Sequence, residues 1–391
     1  MRSSSRRAFL AATVAGVGMF AGCTTEEGAT TDEDTTTSTG TSDVANTTNA
    51  IDLSTEVVAG NLVVPWDFDF DGEGGLFVTE RPGRIGHVNL ESGAYTRLAT
   101  VSDTAAVGEG GLLGIALHPA FPDTPDCFVY QTYRDGELQN RILRYRIEDE
   151  TANRVGTVLD DIPGARIHDG GRLDIGPDDY LYATSGDASA PEHAQDPESL
   201  AGKVHRIGLD GSIPQGNPIQ GRPVWSLGHR NPEGLAWQPE TDAMYAIEHG
   251  PSGHDEVNRI EAGANYGWPT VSGDSDDAEF ESPVLTSGSG TWAPSGGAFY
   301  DGDRFPEWRG HLLFATLGFD PGDGRRSLHR VRFDGDDQTV DEHERYLENE
   351  YGRLRAVGVG PNGAIYVSTS NRDGRGEPDD SDDRILRIVP A

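Results

Sequence analysis

Between Gly228 and Pro269 the chain carries GHRNPEGLAW, EHGPSGHDEVN and ANYGWP, which set a guanidinium, paired carboxylates and two histidines on turns between strand-like runs. Polar groups gathered on turns build sites, because strands hold such loops still. Two other stretches have the same character: HDGGRL at His168 to Leu173 and GRLRAVGVGPNG at Gly352 to Gly363. His168 stands just before a strand pattern, and a neutral imidazole in a closed pocket suits a general base near neutral pH. The glycines after it let backbone approach a ligand closely. Arg230 offers a planar, permanently charged group that stacks on an aromatic ligand or forks onto its oxygens. Taken singly, such a histidine is commonly a turn residue and such an arginine a salt-bridge partner.

EHGPSGHDEVN is more specific. A hard cation such as calcium takes several oxygens, some of them backbone carbonyls. The Gly250 and Pro251 carbonyls with the Asp255 and Glu256 carboxylates meet that demand. His249 and His254 leave zinc open, although their spacing lacks a tetrahedral set. Nucleophile-elbow, P-loop, CxxC and dinucleotide-binding patterns are absent from the sequence. The glycine runs at Gly108 to Gly114 and at Gly170-Gly171 precede strands, which argues against nucleotide binding.

The elements that must position these loops repeat. Units pairing a short strand, a turn and an aromatic strand begin at Trp66, Leu113, Leu173, Gly234, Gly297 and Ala356. Four units continue into an arginine-marked strand, at Asn140 to Tyr145, Gly202 to Ile207, Ser327 to Val331 and Asp383 to Ile388. Repeats of roughly 50–60 residues with about four strands each are propeller blades. The expectation is an all-β, six-bladed β-propeller over 51–391, with a central-channel site. Ring closure would bring His168, Asp187, Arg230, the Gly250–Glu256 loop, Arg353 and Arg355 to one axial pocket.

Composition places the protein without saying what it does. The chain has 391 residues, 51 of them glycine, and a formal charge of −34 from 65 acidic and 31 basic residues, of which Lys203 is the only lysine. Such a polyanion is unsuited to nucleic acid or anionic membrane surfaces and reads as adaptation to a salty medium. Ser5-Arg6-Arg7-Ala8-Phe9-Leu10 is a twin-arginine pattern, and the apolar run behind it ends at a lipobox-like Phe20-Ala21-Gly22-Cys23. Residues 1–22 are therefore expected to be an export signal, with Cys23 lipidated. Residues 23–50, rich in Thr, Asp and Glu, read as a disordered tether. The folded part would sit outside the cell, on the membrane only through that anchor. Cys127, in a strand pattern, is expected to be buried and free.

VTERPGRI, GEGGLLGIALHP, HDGGRL, SGDA, LGHRNPEGLAW, EHGPSGHDEVN, NYGWP and WAPSGGAFY occur in this order from Val78 to Tyr300. Together they resemble the soluble quinoprotein sugar dehydrogenases, the glucose/sorbosone and aldose sugar dehydrogenases that use pyrroloquinoline quinone (PQQ). The resemblance implies oxidation of an aldose C1 hydroxyl to the lactone, with electrons passing on to an acceptor the sequence does not identify. It implies His168 as base, Asp187 as its partner and Arg230 and Asn231 against the cofactor. Arg353 and Arg355 would pair with cofactor carboxylates, while Glu109 would lie near the base and Asp255 on the cofactor side. The Gly250 and Pro251 carbonyls would hold a catalytic calcium ion. Glu256 and the Tyr266 carbonyl match a second, structural one. Two departures stand out: Gly318 occupies the place of a cofactor-facing Lys or Arg, with Arg325 and Arg326 as substitutes, and Ile167 replaces a carboxylate. A non-catalytic carbohydrate- or protein-binding propeller and a calcium-dependent lactonase are the competing readings.

Overall fold

The computed structural model describes residues 51–318, 325–335 and 338–391. The export signal, Cys23, the tether and most of the insert after Gly318 lie outside the described residues. Chain order builds six four-stranded antiparallel sheets, each running from an inner to an outer strand. The inner strands are Pro65–Phe70, Leu112–Leu117, Leu173–Ile175, Pro232–Trp237, Pro294–Phe299 and Leu354–Val359. These are the blades of a six-bladed β-propeller. The repeats read from the sequence coincide with the two innermost strands of each blade, and the arginine-marked segments with the third.

Burial explains the repeat. Gly75–Glu80 and Leu112–Leu117 are buried at every position, since each packs on both faces between neighbouring blades. The outer strand Val340–Tyr346, VDEHERY, alternates between half-buried and exposed positions, as a strand with one wet face does. Ring closure uses a strand from the start of the described chain. Leu53–Ala59 pairs antiparallel with Ile385–Pro390, with Leu53 opposite Pro390, and completes the sixth blade. Cys127 is buried and free in the second strand of blade two, where burial pushes its thiol up.

The channel lining is charged, and part of that charge is paired. Arg172 pairs with Asp67, donates Nε–H to the Glu233 carbonyl at 2.8 Å and lies 4.5 Å from the Trp66 ring centroid. Burial raises Asp67 to about 6 even so, with Arg172 pulling the other way.

Candidate active site

The site is built on segments that enter or leave inner strands at one end of the ring. His168 lies five residues before its inner strand with φ at +65°, a left-handed backbone that a non-glycine residue adopts only when held. Its N–H donates to Glu109 Oε2 at 2.9 Å. Gly170 also has a positive φ, and a Cβ at Gly186 would run into the His168 carbonyl. Those two glycines let the His168 turn lie flat on the Ser185–Asp187 segment.

The ring of His168 is set by Asp187, whose Oδ1 lies 2.8 Å from Nδ1. The same oxygen accepts the Ser189 N–H at 2.8 Å, and Oδ2 accepts the Trp268 indole N–H at 2.8 Å. Asp187 is 1% exposed against 13% for His168, so its charge rests on these partners. With Nδ1 engaged, Nε2 is the ring nitrogen left for a substrate proton. His168 lines a cavity of about 260 Å³ with Glu109, Arg230, Asn231, His249 and Gly250.

Arg230 and His249 bring cationic groups to this cavity. Arg230 donates its N–H to Glu248 Oε2 at 2.8 Å and Nη1–H to the His249 carbonyl at 3.1 Å, over Trp268 at 5.4 Å. Its Nε and the Nε2 of His249 are buried without hydrogen-bond partners. Burial lowers Arg230 from the usual arginine value. For His249 burial acts downward too, but Glu233, 3.7 Å away, outweighs it and holds the imidazole above its ordinary value. Asn231 Oδ1 accepts the Gly170 N–H at 3.0 Å, so it braces the His168 turn as well as lining the cavity.

Loop 249–256 is clamped from behind. Asp255 Oδ1 accepts the Gly250 N–H at 2.9 Å, while Oδ2 accepts the Thr291 hydroxyl at 2.8 Å and the Trp292 and Ala293 N–H groups. Its carboxylate is thus spent on backbone and reaches the cavity only through Gly250 and Thr291. Among the described residues the carbonyls of Gly250 and Pro251 accept no backbone hydrogen bond, which fits oxygen donors for a hard cation. Among the described residues no three His, Cys, Asp or Glu side chains form a metal-binding group. His254 is exposed whereas His249 faces the cavity, so the two histidines make no zinc pair.

Glu256 sits opposite Glu248 in the ladder, with Asn258 donating to both, at 3.0 and 2.9 Å. Burial, then Glu248, pushes Glu256 up to about 8. Tyr266 stacks on His229 at 4.8 Å, and His229 Nδ1 meets Glu248 Oε1 at 2.9 Å. Glu256 thus faces Glu248 directly, whereas Tyr266 reaches it only through His229.

Arg353 and Arg355 lie off the cavity wall and are already paired. Arg353 bonds Asp373 Oδ2 at 2.9 Å and the carbonyls of Leu317 and Gly318 at 2.9 and 2.7 Å. Arg355 bonds Glu233 Oε2 at 2.9 Å and stands 3.7 Å from Asp373. Gly318, where a basic residue was expected to face the cofactor, thus uses its carbonyl to seat Arg353. Of the two substitutes, Arg325 donates Nη1–H to the Thr291 carbonyl at 3.3 Å, beside the cavity, whereas Arg326 lines a separate pocket. Ile167 is on the cavity wall, 37% exposed.

Sequence reading passed over Glu233, Trp268, Thr291, Asp373 and Arg375. Arg375 reaches the cavity and pairs with Glu109 Oε1 at 3.0 Å. A signal existed in Asn371-Arg372-Asp373-Gly374-Arg375-Gly376, a charged turn leaving an inner strand pair like the other site loops.

A propeller whose cavity holds a carboxylate-set histidine, cationic groups and the Gly250 turn has the make-up of a sugar oxidoreductase of the quinoprotein kind. The chain matches the Glucose / Sorbosone dehydrogenase family over residues 62–386 and belongs to it. It is 30% identical to aldose sugar dehydrogenase YliI of Escherichia coli, covering 86% of this chain and 93% of that one. It is 36% identical to quinoprotein glucose dehydrogenase B of Acinetobacter calcoaceticus, over 58% of this chain and 54% of the relative. The PQQ-bound form of aldose sugar dehydrogenase from Streptomyces coelicolor superposes with a TM-score of 0.76 at 35% identity, over 87% of this chain and 98% of that structure.

Proposed function

We propose that this protein oxidises the C1 hydroxyl of an aldose to the lactone, with PQQ as acceptor and calcium on the Gly250 and Pro251 carbonyls. The observation that carries the reading is His168 fixed by Asp187 in a cavity whose wall includes Gly250. When bound, PQQ supplies a two-electron acceptor and calcium a Lewis acid that draws density from it. His168 Nε2 takes the hydroxyl proton as C1 gives up its hydride, so the sugar loses one proton and one hydride. Asp187 fixes the tautomer and stabilises the imidazolium that results. Arg230 and His249, on the cavity wall, supply positive charge to the acceptor's oxygens, and Asn231 with Glu109 keeps the His168 turn in register. Arg353 and Arg355 contribute charge behind the site through Asp373 and Glu233. Glu256 with the Tyr266 carbonyl takes a second, structural calcium ion. In this reading the enzyme leaves the cell by the twin-arginine route and, lipidated at Cys23, works at the outer face of the membrane.

The test is titration of the apo protein with PQQ and calcium at high salt, then aldose with a dye acceptor. Cofactor binding with dye reduction that vanishes in His168→Ala supports the reading. A folded domain that binds no PQQ overturns it in favour of a non-catalytic propeller.

A further inference from the structure

Arg326 is 5% exposed, and its Nε is buried without a partner. Among the described residues no hydrogen bond or ion pair reaches its guanidinium, although the chain pairs its other deeply buried arginines. An uncompensated buried charge is costly, so a polar group left in this state calls for a reason. Arg326 lines a pocket of about 320 Å³ between blades five and six. Loop 371–383 separates that pocket from the catalytic cavity, sending Arg375 into one and Glu377 and Asp379 into the other.

The remaining polar groups define what fits. Arg384 pairs with Asp379 and lies 3.3 Å from Asp382, so its guanidinium is already committed to those two carboxylates. Asn349, Glu350 and Glu377 are exposed on the pocket wall. The pocket therefore offers one unspent guanidinium for an anion and exposed carboxylates and an amide for hydroxyls. A single halide or water needs only about 30 Å³, a small part of the space.

We propose that this pocket is a second ligand site, taking the carboxylate of a polyhydroxy acid on Arg326 and its hydroxyls on Glu350, Glu377 and Asn349. An aldonate is the ligand class that suits it. This ligand choice rests on the dehydrogenase reading, since a lactone product opens by hydrolysis to that acid. The binding site itself stands on Arg326 alone.

Calorimetric titration of the cofactor-free protein with sodium gluconate, at constant ionic strength, tests the site. Binding is expected to weaken at least tenfold in Arg326→Gln and to persist in His168→Ala. Thermal melts confirm that Arg326→Gln folds. Glu350→Trp, at an exposed position on the pocket wall, narrows the pocket mouth and is expected to block binding too. Binding that ignores both pocket variants, or that glucose or chloride reproduces at equal concentration, overturns the proposal. Gluconate binding in a protein that reduces no dye would leave this site standing and remove the dehydrogenase reading.

Discussion

His168 and Asp187 form a pair whose value lies in which nitrogen carries the proton. A carboxylate at Nδ1 keeps the proton there and leaves Nε2 basic. Asp187→Asn replaces an acceptor with an amide that can donate to Nδ1, driving the proton to Nε2. Turnover is expected to fall by about 10⁴-fold with little change in fold, read as dye reduction against pH. Trp268→Phe removes one donor to Oδ2 and should cost about tenfold, the effect of one hydrogen bond to a charge. Unchanged turnover in Asp187→Asn would remove Asp187 from the mechanism. The neighbouring Asp169 tests burial instead. Its Oδ2 is unpaired, and burial raises its carboxyl to about 7 despite hydrogen bonds from Asn140 and Ala165. The folded chain then holds a proton between about pH 4 and 7 that the unfolded chain releases, so this group's contribution to stability falls as pH rises through that window. At about 1.4 kcal/mol per unit the penalty above pH 7 is at most about 4 kcal/mol. Asp169→Asn should melt close to wild type near pH 4 and higher than wild type at pH 8. A constant difference across that range would exclude linkage.

Loop 249–256 is held as an element by one side chain. Asp255→Ala strips acceptors from Gly250, Thr291, Trp292 and Ala293 at once, leaving buried N–H groups unmet. The expected cost is about 3–5 kcal/mol, with earlier proteolytic cutting near residues 250 and 290 and weaker calcium binding. Wild-type protection of both segments would show that the loops hold without the clamp. Elements of this kind divide what the sequence discloses from what it hides. Blade number was readable because every inner hairpin repeats one local pattern of apolar strand, turn and aromatic strand. His168, Arg230 and the Gly250-Pro251 turn were readable because each lies in a short, polar, glycine-rich motif. Glu233 was not, because its partner Arg355 lies 122 residues away and only the closed ring makes them neighbours. Asp373 was hidden likewise: its value is the seat it gives Arg353, and no local pattern encodes that. Asp255 reads as a ligand in sequence, since a carboxylate beside a Gly-Pro turn looks the same whether it faces an ion or the backbone.

The whole molecule must close a ring while carrying a large excess of one charge. Closure is a pairing of Leu53–Ala59 with Ile385–Pro390, so the blade that completes the ring depends on contacts between distant parts of the chain. Repulsion acts over that same assembly. The formal charge is −34, and although Arg172, Arg353 and Arg355 pair with carboxylates inside the ring, many acidic side chains on outer strands and turns are exposed. Exposed like charges interact over about 10 Å at 0.1 M salt and about 3 Å at 1 M. Screening should therefore favour the compact state, as net charge far from zero works against it. The melting temperature is expected to rise by several degrees between 0.1 and 1 M sodium chloride and to level off once the screening length falls below the charge spacing. Sodium perchlorate, which screens equally but does not strengthen apolar burial, separates the causes. A rise in chloride and perchlorate alike over the low-salt range marks electrostatic repulsion as the origin. A rise confined to sulfate would assign the effect to exclusion of salt from the surface. A flat response to all three would mean that the arginine pairs already balance the acidic surface, and that salt tolerance rather than salt dependence is what the composition confers.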